Sequence, residues 1–138
     1  MKSRSGRRLL YATILGFVLV LGVSAREYLK KDYMGVEDAT KRWGHETFDP
    51  QKFKSGDVKK RASMVSSLIE GKTLVGKPLS EIRPLLGEFS GHYWNDNIPT
   101  YIVEEGWKTN SDTWQLVFLP GQNQTVREIK IHKNCCSR

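Results

Sequence analysis

Cysteine is nearly missing from this chain: its 138 residues hold two, the neighbours Cys135 and Cys136 close to the C-terminal end. Adjacent α-carbons sit about 3.8 Å apart, closer than ordinary disulfide geometry wants, so a bridge between the two is strained. In an oxidising compartment either one can instead join a second chain, giving a disulfide-linked dimer through Cys135 or Cys136. The plainer alternative is a tail pair with no fixed role. No cysteine lies near residues 20–26, which excludes the lipid-attachment cysteine of bacterial lipoproteins.

The residues of catalysis and metal binding are also sparse. His45, His92 and His132 are the only histidines, and they fall in separate segments without the spacing of a zinc motif. Ser63, Ser66 and Ser67 have no nucleophile elbow around them, and no glycine-rich phosphate loop occurs. Glu104 and Glu105 form an acidic pair, but consecutive strand residues point to opposite faces, so an exposed strand end accounts for them. These absences predict a protein without catalytic residues, cofactor or metal. A small enzyme would need His92, His132 and an acid to meet in one cleft.

Acidic residues are absent from the first 25 positions, where Lys2, Arg4, Arg7 and Arg8 precede an uncharged run from Leu9 to Ala25. A basic head before an apolar run is a membrane-targeting layout, and two readings of it stay open. Small residues at Val23-Ser24-Ala25 suit signal-peptide cleavage after Ala25. A helix rising about 1.5 Å per residue over this run also approaches the lower limit for crossing a roughly 30 Å hydrocarbon core as an N-terminal transmembrane anchor. A buried core helix fits poorly, because the run has no polar face. Either targeting outcome sends the rest of the chain across the inner membrane, to the periplasm or to that membrane's extracytoplasmic face, and an uncleaved run makes the membrane a partner through residues 9–25. Without this head the formal charge falls from +7 to +3. That is an ordinary solvated surface, and its scattered pattern argues against nucleic acid as a partner.

The remaining composition, 38% hydrophobic and 27% charged over the chain, suits one globular domain. Residues 26–56 are polar and broken and read as a linker or irregular lead-in. Trp43, Phe48 and Phe53 within it should fold back onto the domain, since each buries about 150–250 Å²; a partner-binding segment is the alternative. Asp57 caps a helix to Glu70 whose Met64, Val65, Leu68 and Ile69 share a side, with Gly71 ending it and Lys60 standing where a capping glutamate would be. Leu79, Ile82 and Leu86 predict a second, short helix, entered through Gly76 and Pro78, shortened or kinked by Pro84 and closed by Gly87 in a left-handed C-cap.

Beyond Gly87 the apolar period changes to two. His92-Tyr93-Trp94 reads as a short strand, residues 95–99 as a turn and Thr100–Glu104 as a second strand. After a loop over 106–112, Thr113–Leu119 alternates with Trp114, Leu116 and Phe118 on one face. A turn over 120–124 leads to Thr125–His132. Asn123-Gln124-Thr125 matches a glycosylation sequon, which a turn asparagine explains without modification. The fold class is α+β: two helices packed on a three- or four-stranded antiparallel meander in two layers, one sheet face wet, behind an N-terminal membrane-targeting helix. The expected divisions are 1–25, 26–56 and 57–138.

Leu74-Val75-Gly76 followed by Glu81-Ile82-Arg83-Pro84-Leu85-Leu86-Gly87, then Trp114-Gln115-Leu116-Val117-Phe118 and Val126-Arg127-Glu128-Ile129, resembles the small envelope domains grouped with SmpA/OmlA, BamE and the β-lactamase inhibitor protein. The resemblance spans about Lys59 to Cys135. It implies an α-α-β-β-β(-β) domain in the bacterial envelope that binds proteins rather than catalysing a reaction. With this family in view, the expected function is a non-enzymatic protein-binding module; an inhibitor or immunity-type protein blocking a secreted enzyme is the alternative. The anchors for a protein partner are Tyr93, Trp94, Tyr101, Trp107 and Trp114, to the extent that they are exposed rather than core, since interface hot spots are rich in Trp and Tyr.

Overall fold

The structure, a computed structural model, describes residues 32–106 and 113–134, all within the unit Asp32–Arg138. The run 9–25 lies outside the described residues. From Asp32 onward the expected linker is instead folded: Tyr33–Met34 form strand β1, Val36–Trp43 helix α1 and Pro50–Ser55 helix α2. Helix α1 carries Glu37 and Asp38 in its first turn and Lys41 and Arg42 in its last, the order its dipole favours. Asp49 caps α2 by accepting from the Gln51 and Lys52 amides, and Pro50 occupies the first turn, where its missing N–H costs nothing. Helices of 8 and 6 residues are too short to display a convincing period and form only by docking. Phe53 is fully buried, and Trp43 and Phe48 pack against the core. The three aromatics therefore do fold back onto the domain.

Helix α3 spans Val58–Gly71. Asp57 Oδ1 accepts the Lys60 amide at 2.8 Å, and the Lys60 ammonium, unfavourable so near the positive helix end, is held by both oxygens of Glu46 at 2.6 and 2.7 Å. Glu46, from the segment before α2, thus neutralises the charge that Lys60 brings to the first turn. Gly71 does not stop the helix. It is the last helical residue, and Lys72 takes the left-handed cap at φ 50°. The chain then buries Leu74, and Val126 exchanges backbone hydrogen bonds with Gly76 (2.7 Å) and Lys77 (2.8 Å). A 3-10 turn, Leu79–Glu81, leads into helix α4, Ile82–Leu86. Pro84 stands in its first turn and causes no break. Gly87 ends it at φ 93° and ψ −174°, a region open essentially to glycine.

Strands β2 (Thr100–Glu104), β3 (Thr113–Pro120) and β4 (Val126–Asn134) form the antiparallel meander, and β1 adds to the far edge of β4, giving the order β1-β4-β3-β2. The chain is α+β with four helices and a four-stranded antiparallel sheet among the described residues. The fourth strand is β1 and not the expected His92-Tyr93-Trp94. Trp94 has a φ of 60°, which breaks extension, and Tyr93 bridges only to Asn95. Tyr101, Leu116, Phe118, Ile129 and Ile131 meet Met64, Val65 and Leu68 of α3 in one core, with Phe53 beside them. The opposite sheet face is only partly wet, since Thr113, Gln115 and Val117 are buried on it as well.

Candidate functional site

What covers that second face is the segment Ser90–Pro99, a strap that leaves the sheet edge and returns to it. Ser90 and Gly91 both donate their amides to Thr100 O at 3.1 Å, and Ser90 Oγ accepts from the Ile102 amide at 2.9 Å, which closes the outer edge of β2. Gly91 then passes so close to the sheet that an added Cβ would lie 2.2 Å from Gln115 Oε1. One residue on, the His92 amide donates to that oxygen at 2.8 Å. Tyr93 reaches farther, to the His132 ring of β4 at 4.8 Å between centroids and to the Tyr33 hydroxyl of β1 at 3.3 Å. The strap turns back through Asn95, whose side chain accepts from the Asn97 amide, and Pro99 O rejoins the ladder by accepting from Phe118. Its backbone bonds to β2 and β3, and the Tyr93 side chain reaches β4 and β1.

The expected anchors separate on this frame. Trp94, at the outer end of the strap, is 84% exposed. Tyr93 is half-buried beneath it, and Tyr33, which sequence reasoning did not single out, is partly exposed beside it. Tyr101 is a core residue: its ring packs edge-on against Phe53, Phe89 and Phe118, and its hydroxyl donates to Gly87 O at 2.9 Å. Burial raises its pKa and withdraws it from the surface. Trp114 is half-buried against the core, with Lys133 Nζ 5.9 Å from its ring centre. Trp107 lies outside the described residues, as do Cys135 and Cys136. The structure therefore gathers Tyr93, Trp94 and Tyr33 on the strap face and places Tyr101 and Trp114 on the other.

Beneath the strap His132 sits between Tyr33 and Tyr93, with ring centroids 5.1 and 4.8 Å away. Burial lowers its pKa, partly opposed by Asp32. The Tyr33 hydroxyl is pushed up to about 12, first by its hydrogen bond with Tyr93 and then by burial. Among the described residues Gln115 Nε2 and His132 Nδ1 are buried side-chain atoms that meet no hydrogen-bond partner. Neither atom therefore contributes a hydrogen bond that ties the strap to the sheet. Trp94, a bulky residue in the left-handed region, adds backbone strain.

A second feature lies at the far end of β2. A bulge between Ile102 and Glu104 turns Glu104 toward α1, where Arg42 donates to it through Nε at 2.8 Å and through Nη2, and Trp43 donates through Nε1 at 2.7 Å. The Arg42 hydrogen bond holds the Glu104 carboxyl below its usual range, supported by Trp43 and opposed by burial. Glu104 is thus a paired residue and not half of an exposed strand end. An open cleft of ≈ 490 Å³ borders this pair, lined by Trp43, Val58, Ala62 and Val103 among others.

The three histidines stay apart in role. His45 pairs with Glu70 at 2.6 Å, His92 with Asp96 at 2.9 Å, and His132 lies among tyrosines. Among the described residues no group of three His, Cys, Asp or Glu side chains is placed to hold a metal ion, and no helix is long and apolar enough to cross a membrane. No family model, no curated protein and no solved structure matches this chain.

Proposed function

We propose that this domain is a non-enzymatic protein-binding module of the bacterial cell envelope, exported or tethered by the apolar run 9–25, with the Ser90–Pro99 strap as its binding element. The observation that carries the reading is Trp94: a large aromatic, 84% exposed, presented at the end of a strap whose base is tied to the sheet. A solitary exposed Leu would carry no meaning, but Trp is the residue type most enriched at interface hot spots, and here Tyr93 and Tyr33 extend its apolar surface. The partner is a protein, met in the periplasm or at the extracytoplasmic face of the inner membrane. The inhibitor reading uses the same element with a secreted enzyme as the partner.

A photo-crosslinking residue placed at position 94 in the full chain, expressed in a bacterial envelope, tests this. A discrete protein adduct is expected from position 94 and not from Asn123 at the opposite turn, and Tyr33→Ala should weaken it. Equal labelling from both positions, or none from 94, refutes the reading. A hydrolase in the adduct selects the inhibitor alternative. Fractionation of the same sample shows whether residues 1–25 stay attached.

A further inference from the structure

The strap lies across the sheet on a histidine, and histidine is the side chain whose ordinary titration falls near neutral pH. We propose that the strap is an acid-released cover: protonation of His132 breaks its packing between Tyr33 and Tyr93, lifts Gly91–Ile98 from the sheet and bares the surface around Gln115 and Val117. This builds on the reading of the strap as the binding element and assigns how that element is regulated.

The placement supplies the reason. Tyr33, His132 and Gln115 stand side by side in register across β1, β4 and β3, and Tyr93 closes over them from the strap. His132 Nδ1 is buried with no hydrogen-bond partner, so a proton added there creates a charged N–H without an acceptor. The charged and titratable groups that face the ring come from each packed element. These are Tyr33 on β1 and Asp32 just before it, the latter favouring the cation. On β4, Lys130 opposes it from two residues away, its Nζ 5.0 Å from the Tyr33 ring centre, while Glu128 offsets Lys130 at 3.5 Å. Strand β3 offers only uncharged Thr113 and Gln115, and the strap carries Tyr93 and the exposed His92–Asp96 pair.

Burial outweighs Asp32, so the closed-state pKa of His132 lies below its ordinary 6.5. Closure is therefore complete above 6.5 and weakens as pH falls from there toward the lower closed-state value. Between about pH 7.5 and about pH 5.5 the opening equilibrium should rise by up to roughly tenfold.

The test is backbone amide exchange at Gly91 and His92 in the full chain, corrected for the intrinsic rate, at about pH 7.5 and about pH 5.5. The expected outcome is a rise, at most roughly tenfold, in the wild type and in His92→Asn, and no comparable rise in His132→Gln. A flat wild-type response, or a rise that survives His132→Gln, overturns the proposal. Should His132→Gln fail to fold, an NMR titration of the His132 ring in the wild type decides. A midpoint below the ordinary histidine value supports the device, and one at or above it overturns it. No partner enters this experiment, so its failure leaves the Trp94 reading standing, and a failed crosslink at Trp94 leaves this result untouched.

Discussion

Gly91→Ala perturbs the strap at its closest approach to the sheet. The new Cβ would meet Gln115 Oε1 at 2.2 Å and Thr100 Cγ2 at 2.8 Å, so the buried Gln115 carboxamide must turn away or the strap must lift. Turning the carboxamide breaks the hydrogen bond that the His92 N–H donates to Gln115 Oε1 and leaves both ends of the Gln115 carboxamide unpartnered. Overpacking costs about 1–3 kcal/mol and the orphaned polar group a comparable amount, while replacing glycine returns about 0.4–1 kcal/mol through the unfolded chain. A net loss of about 3 kcal/mol corresponds to a roughly 150-fold larger opening equilibrium. Hydrogen exchange measures it: the amides of Gly91 and His92 should speed up by about that factor, while β3 and β4 amides at the core, such as Leu116 and Ile131, change much less. Unchanged strap amides would refute the close-contact argument. An equal acceleration in strap and core would refute the separate opening of the strap.

The end of α3 offers a stabilising pair. Gly71 is helical and has room for a Cβ, with Thr73 Cγ2 at 3.6 Å, whereas Lys72 holds the left-handed cap at φ 50°. Exchanging roles with Gly71→Ala and Lys72→Gly should add about 1–2 kcal/mol of unfolding free energy in urea titrations, and a gain under about 0.5 kcal/mol would count against the cap assignment. For the Glu104 site, a depressed carboxyl contributes stability that is present above its ordinary 4.5 and lost as pH falls below it. Glu104→Gln should therefore flatten the fall of the urea midpoint between about pH 5 and about pH 3, with Glu46 supplying a remaining acid dependence through Lys60. An unchanged slope would show that the Arg42–Glu104 pair is not its source.

Local pattern and local structure agree where an element is long enough to repeat. The α3 face, the α4 stop at Gly87 and the β3–β4 hairpin were legible because each is written in residues close together in the chain. The helix stop at Gly71 missed by one position, since whether glycine or its successor takes the left-handed cap depends on where the next residues pack, here the buried Leu74. The candidate site was half legible. Trp94 stood out as an aromatic, but His92-Tyr93-Trp94 looks the same as a strand whether it pairs at a sheet edge or lies across a sheet face. Only Gly91 beside it and the Asn95-Asp96-Asn97 cluster hinted at a close approach and a turn.

By itself the sequence determined the α+β class, the two helices it predicts and the meander, because period and punctuation act over a few residues. Tertiary structure decided the rest. It made helices α1 and α2 from the lead-in, added β1 to β4, paired Arg42 with Glu104 and sent the strap over His132. Each of these joins groups far apart in the chain, and none forms until the core has brought its partners together.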